Sequence, residues 1–368
     1  MNWDIFCSVV DNYGDIGVSW RLARQLANEY GQQVRLWVDD LSSFCRICPQ
    51  GEMIETQHCT GVEVRHWGRS LPDVLPFEVV IESFGCRLPE CYVEKMAQMA
   101  EKPVWINLEY LSAEDWVKEA HCMPSPHPKF PLVKYFFFPG FSKDTGGLLL
   151  EKDLFERRDA FDRKTFWRKL GIEPDERLKI SLFCYQNPAL EPLFRAWQEG
   201  DEKILCLIPE GKIASETGSF SRGNLEVRVI PFVPQEEFDP LLWACDINFV
   251  RGEDSFVRAQ WAGKPFVWQI YPQEEEAHLK KLDAFLSLYC EDLDSPVAGA
   301  VRAMWRAWNG NGDAAAWRDF LKFRAELGAH GKSWAAQLSG NDLVSNLLDF
   351  CRGRRYNERF LNFRVQVT

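Results

Sequence analysis

Short apolar runs alternate with amphipathic stretches through the first half of the chain. The runs at 3–10, 34–38, 79–82 and 104–107 read as buried strands, and the stretch 18–30 between the first two reads as a helix. In that stretch Val18, Leu22 and Leu26 fall four apart, with Ala23, Ala27 and Tyr30 beside them, so one stripe can pack on a sheet. Strands alternating with helices predict a parallel sheet. The segment from Asp11 to Gly17 is then a strand-to-helix turn. Residues 121–141 hold Pro124, Pro126, Pro128, Pro131 and Pro139 around Tyr135-Phe136-Phe137-Phe138, which predicts an ordered, irregular crossover.

The alternation restarts at Leu178. Apolar runs at 178–184, 203–208, 225–233, 246–250 and 265–270 are separated by helical stretches near 188–199, 235–245 and 254–262. Beyond Gln273 the pattern is helical (274–289, 296–308, 313–327, 340–352), and Arg352-Gly353-Arg354-Arg355-Tyr356 reads as a loose basic tail. The 368 residues suit two domains at about 100 to 200 residues each. The predicted architecture is α/β, two Rossmann-like domains facing a cleft: 1–165, then 166–339, with a helical tail of about 340–368 returning to the first.

Composition narrows the partners. Acidic residues number 54 against 43 basic, a net charge of −11, which argues against direct nucleic-acid binding and anionic membranes and favours a cationic partner. No apolar run approaches the ~20 residues of a membrane span, and MNWDIFCSVV lacks the basic start and cleavage site of a signal peptide. The expected location is the cytosol, where the 12 Cys stay reduced.

In open parallel sheets ligands bind beyond the carboxyl ends of the strands. In the first half those positions are acidic: Asp11 and Asp15, then Asp39 and Asp40, then Glu82, then Glu109. Such a rim repels phosphate and suits a cationic acceptor. The first turn lacks GxGxxG, having only Gly14 and Gly17, and Asp15 stands where a pyrophosphate would sit on a helix N-terminus. Taken singly, Asp11 and Asp15 also fit as helix caps, and Asp39-Asp40 fits a solvated turn. Six carboxylates on one edge favour binding.

The second half differs. After the run 246–250 comes Arg251-Gly252-Glu253-Asp254-Ser255, where an Arg and a Gly open a helix whose positive end suits a diphosphate. Asp254 as a simple cap and Arg251 as a solvated turn residue are the plain alternatives. Tyr271 ends the next strand as a phenol donor, and Phe183, Tyr185 and Phe232 stand near strand ends where a base could stack, although each also suits the core. A donor-phosphate half thus faces an acidic acceptor half. Cys45-Arg46-Ile47-Cys48 with His58 and Cys59 has only partial zinc spacing, and Asp292-Leu293-Asp294 falls between helices rather than after a strand. Neither supports a metal.

The segments DNYGDIGVSWRLARQLA (11–27), EYLSAE (109–114), MPSP (123–126), KYFFFPGFS (134–142) and 230–273, which contains RGEDSFVRAQ, resemble the bacterial protein-arginine rhamnosyltransferases that modify elongation factor P. The resemblance implies a GT-B glycosyltransferase fold and inverting transfer of rhamnose from TDP-β-L-rhamnose to one arginine of elongation factor P. It implies Asp15 as general base with Asp11 in the same turn. It also implies donor contacts from Phe183, Tyr185, Phe232, Gln235, Arg251, Glu253, Asp254, Ser255 and Tyr271; with Arg251, Tyr271 and the amides after Gly252 to meet the charge on departing TDP, no metal or other cofactor is expected. Two alternatives stay open on the residues alone: a GT-B enzyme using another nucleotide sugar on a small amine, and a non-catalytic binder of a basic translation factor.

Overall fold

A computed structural model describes residues 1–11, 13–68, 71–272, 277–311 and 315–366, with side chains as far as Arg355. Gln273, expected at the end of a strand, lies outside the described residues. The chain divides into two compact units, Met1–Lys152 with the segment from Leu338 onward, and Asp153–Gln337.

The first unit is built on an eight-stranded sheet: β1 (Asn2–Cys7), β2 (Gln33–Val38), β3 (Thr56–Cys59), β4 (Val62–His66), β5 (Val79–Ser83), β6 (Val104–Leu108), β7 (Pro124–Pro126) and β8 (Val133–Phe137). Their order is β3-β4-β2-β1-β5-β6-β8-β7. The inner strands pair in parallel, and only the edge strands β3 and β7 run antiparallel. Continuous apolar runs such as Val79-Val80-Ile81 suit strands covered on both faces. The first helix, Gly14–Tyr30, buries Ile16, Val18, Leu22, Ala23 and Leu26. It stops at Gly31, whose left-handed φ of 62° lets its N–H reach Leu26 O.

Three expectations change here. The first helix starts at Gly14 rather than Val18, so Asp15 belongs to its first turn and the loop before it is shorter. Residues 121–141 are not wholly irregular: β7 and β8 form an antiparallel pair in which Pro124 and Pro126 occupy the outermost strand, where a missing N–H costs little. The basic segment 352–356 is no loose tail but continues a helix, Leu343–Gln366. Arg354 stacks its guanidinium 4.4 Å from the Tyr135 ring, and Arg355 pairs with Glu78 at 2.8 Å and Glu101 at 3.4 Å.

Among the described residues the second unit has six strands: β9 (Leu178–Leu182), β10 (Ile204–Pro209), β11 (Phe220–Arg222), β12 (Leu225–Ile230), β13 (Ile247–Arg251) and β14 (Phe266–Gln269). They lie in the order β11-β12-β10-β9-β13-β14, with β11 alone antiparallel. Phe256, Phe266, Phe285, Tyr289, Trp305 and Trp334 pack ring on ring beneath the far edge. In each sheet the strand order reverses beside the unit's first strand, at β1/β5 and at β9/β13. Such switch points leave a crevice beyond the strand ends, where ligands bind in α/β sheets.

Candidate active site

Both switch points carry the residues singled out by sequence. In the first unit the loop after β1 is laced by carboxylates. Asp39, just past β2, accepts the Ser8 hydroxyl and the Val9 N–H, the latter at 2.8 Å. Asp15 Oδ2 reaches back from the first helical turn to accept the N–H groups of Val10 and Asp11, each at 2.8 Å. Gly14 N–H donates to Asp11 O at 2.6 Å, and a Cβ on Gly14 would stand 2.7 Å from Asp11 Oδ2. Only glycine lets the Asp11 side chain lie over this turn.

The Asp15 carboxylate is 2% exposed, and its second oxygen, Oδ1, accepts the Tyr110 hydroxyl at 3.2 Å. Tyr110 is 37% exposed and stacks on Phe84, with ring centres 4.4 Å apart and planes 17° from parallel. Phe84 follows β5 with φ 57°, a left-handed conformation costly for an aromatic residue. The strand-end turn holds it there: Phe84 N–H donates to Leu108 O at 2.7 Å, and Gly85 N–H to Asn107 Oδ1 at 2.9 Å. The same Asn107 amide donates to the Glu109 carboxylate. Asp11, Asp15, Asp39 and Glu109 therefore belong to one connected set of strand-end turns. Tyr110, Phe84 and Asn107 were missed by the sequence reading, although Tyr110 directly follows a rim acid.

Two of the acidic residues expected to meet the acceptor do not join them. Glu82 alternates to the other face of β5 from Ser83, whose hydroxyl meets Ser19 on the first helix at 3.0 Å. Its carboxylate is 2% exposed and accepts Leu88 N–H at 3.0 Å and Lys134 Nζ at 2.7 Å, so it is already neutralised. Asp40 caps the helix Leu41–Ile47, accepting the N–H and hydroxyl groups of both Ser42 and Ser43. Burial works to raise the Asp40 carboxyl, but those serine hydrogen bonds outweigh it and hold it below the usual range. Asp40 is therefore a helix N-cap, neither the solvated turn residue nor the acceptor contact that the sequence suggested.

In the second unit Arg251, the last residue of β13, lies against Phe183 and Tyr185, its Cζ 4.3 and 4.5 Å from their ring centres. Its Nη1 donates to Cys184 O at 3.3 Å. Burial pushes the Cys184 thiol up to about 12, against a smaller lowering by Arg251, so it stays neutral. Tyr185 is fixed by its N–H to Gln269 Oε1 at 2.8 Å and meets the exposed Tyr271 edge-on at 5.4 Å. Gly252 takes φ 62°, and its carbonyl accepts Trp268 Nε1 at 2.7 Å. Ser255 Oγ accepts Arg251 N–H at 3.1 Å and donates to Arg251 O, closing the turn onto the helix Asp254–Ala262. Glu253 sits at that helix's N-cap position. Gln235, opening the helix Gln235–Ala244, donates Nε2 to Asp254 Oδ2 at 3.2 Å. Phe232 stands half-buried in the loop after β12. The structure thus gathers Phe183, Tyr185, Arg251 and Tyr271 into one aromatic-guanidinium group, beside Gln235, Asp254 and Ser255.

Two Rossmann-like units, each with its polar residues at the switch point, are the architecture of the GT-B fold. A solved structure of Arabidopsis thaliana UGT89C1 complexed with UDP shares this fold with a TM-score of 0.55 at 10% identity, covering 96% of this chain and 98% of that one. The profile of the family described as "Elongation-Factor P (EF-P) rhamnosyltransferase EarP" matches residues 3–352. A protein-arginine rhamnosyltransferase of Pseudomonas putida is 48% identical over 371 residues, covering 95% of this chain and 98% of its relative. A structure described as the structural basis for EarP-mediated arginine glycosylation of translation elongation factor EF-P matches with TM-score 0.68 at 36% identity, covering 96% of this chain and 99% of that one. The chain belongs to the EarP family and is a protein-arginine rhamnosyltransferase. No helix among the described residues is long and apolar enough to cross a membrane.

Proposed function

We propose that the enzyme transfers L-rhamnose from TDP-β-L-rhamnose to a single arginine of elongation factor P in the cytosol, with inversion at the anomeric carbon and without a metal ion. The observation that carries this reading is the Asp15 carboxylate: buried, aimed by two loop amides, and turned through its other oxygen toward the exposed Tyr110, which stacks on the half-buried Phe84. A planar cation is the guest that such a site suits, because the carboxylate supplies charge and acceptor atoms while Tyr110 and Phe84 supply ring faces. The named activity of the relatives, and the acceptor named for the solved structure, support the same guest.

The chemistry follows from proton affinities. A guanidinium near ~13 and a carboxylate near ~4 differ by about nine in pKa, so full deprotonation before attack would cost roughly 12 kcal/mol. Asp15 therefore acts late. It holds one guanidinium nitrogen against the anomeric carbon, and it accepts the proton as the C–N bond forms and the bond to TDP breaks. Asp11, in the same turn, and Glu109 add negative charge for the cation. Arg251, Tyr271 and the start of the Asp254 helix meet the charge that develops on departing TDP, so no metal is required. Phe183, Tyr185, Phe232 and Gln235 hold the nucleoside.

Intact-mass analysis of elongation factor P after incubation with the enzyme and TDP-rhamnose, with and without EDTA, tests this reading. The expected result is one rhamnose added to one arginine at equal rate in both. No mass increase refutes the assignment of substrates, and activity restored only by Mg²⁺ or Mn²⁺ refutes metal independence.

A further inference from the structure

We propose that the buried ion pair between Asp239 and Arg258 is a positioning device for nucleotide-sugar binding; this rests on the donor-site reading given above. Arg258 donates Nε to Asp239 Oδ1 at 2.8 Å and Nη2 to Oδ2 at 2.6 Å, a two-pronged contact between side chains 0% and 5% exposed. The two residues lie on the helices Gln235–Ala244 and Asp254–Ala262, which pack against each other. Each stands four residues, one helical turn, beyond a proposed donor residue: Asp239 beyond Gln235, and Arg258 beyond Asp254. The helices are therefore cross-linked by two successive rungs. The upper rung, Gln235 to Asp254 at 3.2 Å, is at the site; the lower, charged rung is fully inside.

Burying this pair is weak grounds for stability, because desolvating two charges offsets much of their attraction and well-packed apolar substitutes often serve as well. What apolar groups cannot supply is direction. The planar guanidinium fixes both the separation and the rotation of the two helices about their axes. Pro240 sharpens the need: it removes one hydrogen bond from the Gln235 helix right after Asp239, so the first turn of that helix leans on its neighbour. Released from the lower rung, Gln235 and Asp254 lose their mutual register while the hydrophobic core stays filled.

The test is the paired variant D239L/R258M in the full-length enzyme, with Arg258→Lys and Asp254→Ala beside it. Thermal unfolding, TDP affinity by calorimetry and the donor KM and kcat are measured for each. The expected D239L/R258M variant melts within a few degrees of wild type and binds the acceptor normally. Its TDP affinity falls about tenfold or more, the loss of one charge-assisted contact, and its donor KM rises more than kcat falls. Arg258→Lys, which keeps the charge but not the fork, is expected to weaken TDP in the same direction and serves as the readout if the paired variant does not fold. Wild-type TDP affinity in a folded D239L/R258M or Arg258→Lys enzyme, with Asp254→Ala still weakened, overturns the positioning role alone. Wild-type affinity in all three overturns the donor-site reading and this proposal with it.

Discussion

Replacing Asp15 with asparagine separates a base from a side chain that only holds the loop after β1. Asp15 takes two amide hydrogen bonds at 2.8 Å on Oδ2 and the Tyr110 hydroxyl at 3.2 Å on Oδ1. An asparagine carbonyl in the place of Oδ2 keeps both amides, and its NH2 can donate to Tyr110, whose hydroxyl then accepts. What is lost is the charge assistance of those bonds, on the order of 1–2 kcal/mol of stability, or a few degrees in melting temperature for a chain of this size. The rate should fall far more, by about 10² to 10⁴ for a missing general base, with further loss from the missing charge beside a guanidinium. The assay is single-turnover transfer at saturating donor and acceptor, with thermal unfolding and TDP calorimetry on the same preparation. A folded Asp15→Asn enzyme with normal TDP affinity and a rate within a few fold of wild type refutes the assignment. Collapse of Asp11→Asn alone moves the role to Asp11.

Three further outcomes follow from the same contacts. Tyr110→Phe keeps the stack on Phe84 and removes one hydrogen bond to Asp15, so turnover is expected to drop about tenfold with unchanged melting, and Tyr110→Ala to drop further; equal steady-state rates for wild type and Tyr110→Phe would take the hydroxyl out of the site. Arg251→Ala and Asp254→Ala are expected to weaken TDP by about ten- to a hundredfold while elongation factor P still binds, because the residues proposed for the acceptor lie in the other unit; calorimetry showing unchanged TDP affinity in both places the donor elsewhere. Gly14→Ala puts a Cβ 2.7 Å from Asp11 Oδ2, so the side chain must shift, and activity is expected to fall about tenfold or more with little change in melting; full activity would show that the position of Asp11 is immaterial.

What the sequence made legible was whatever depends on neighbours along the chain. The acidic turn after β1 and the Arg251–Ser255 turn after β13 could be placed because a strand end and a helix start are both local patterns. Glu82 could not, since the face it occupies follows from the register of β5 with β1 and β6, and its partner Lys134 lies 52 residues away. Asp40 is different: Ser42 and Ser43 stand two and three residues beyond it, a local capping signal that was readable and was passed over for a solvated turn or a rim acid. Tyr110 and Phe84 meet only because β5 and β6 are adjacent strands, so their stack is invisible in either segment alone. The end of the chain misled in the same way. Gly353 among basic residues looks like a helix stop, but Tyr135, Glu78 and Glu101 receive Arg354 and Arg355 from far away in sequence.

The central claim, one direct displacement assisted by Asp15, is tested most directly by the anomeric configuration of the product. The rhamnosylated arginine is isolated from elongation factor P modified with TDP-β-L-rhamnose, and the one-bond coupling between C1 and H1 of the sugar is measured by NMR. Attack by the arginine nitrogen from the face opposite TDP gives the α-rhamnosyl product. A β-rhamnosyl product would contradict it, since retention requires a second displacement that a base at Asp15 does not provide.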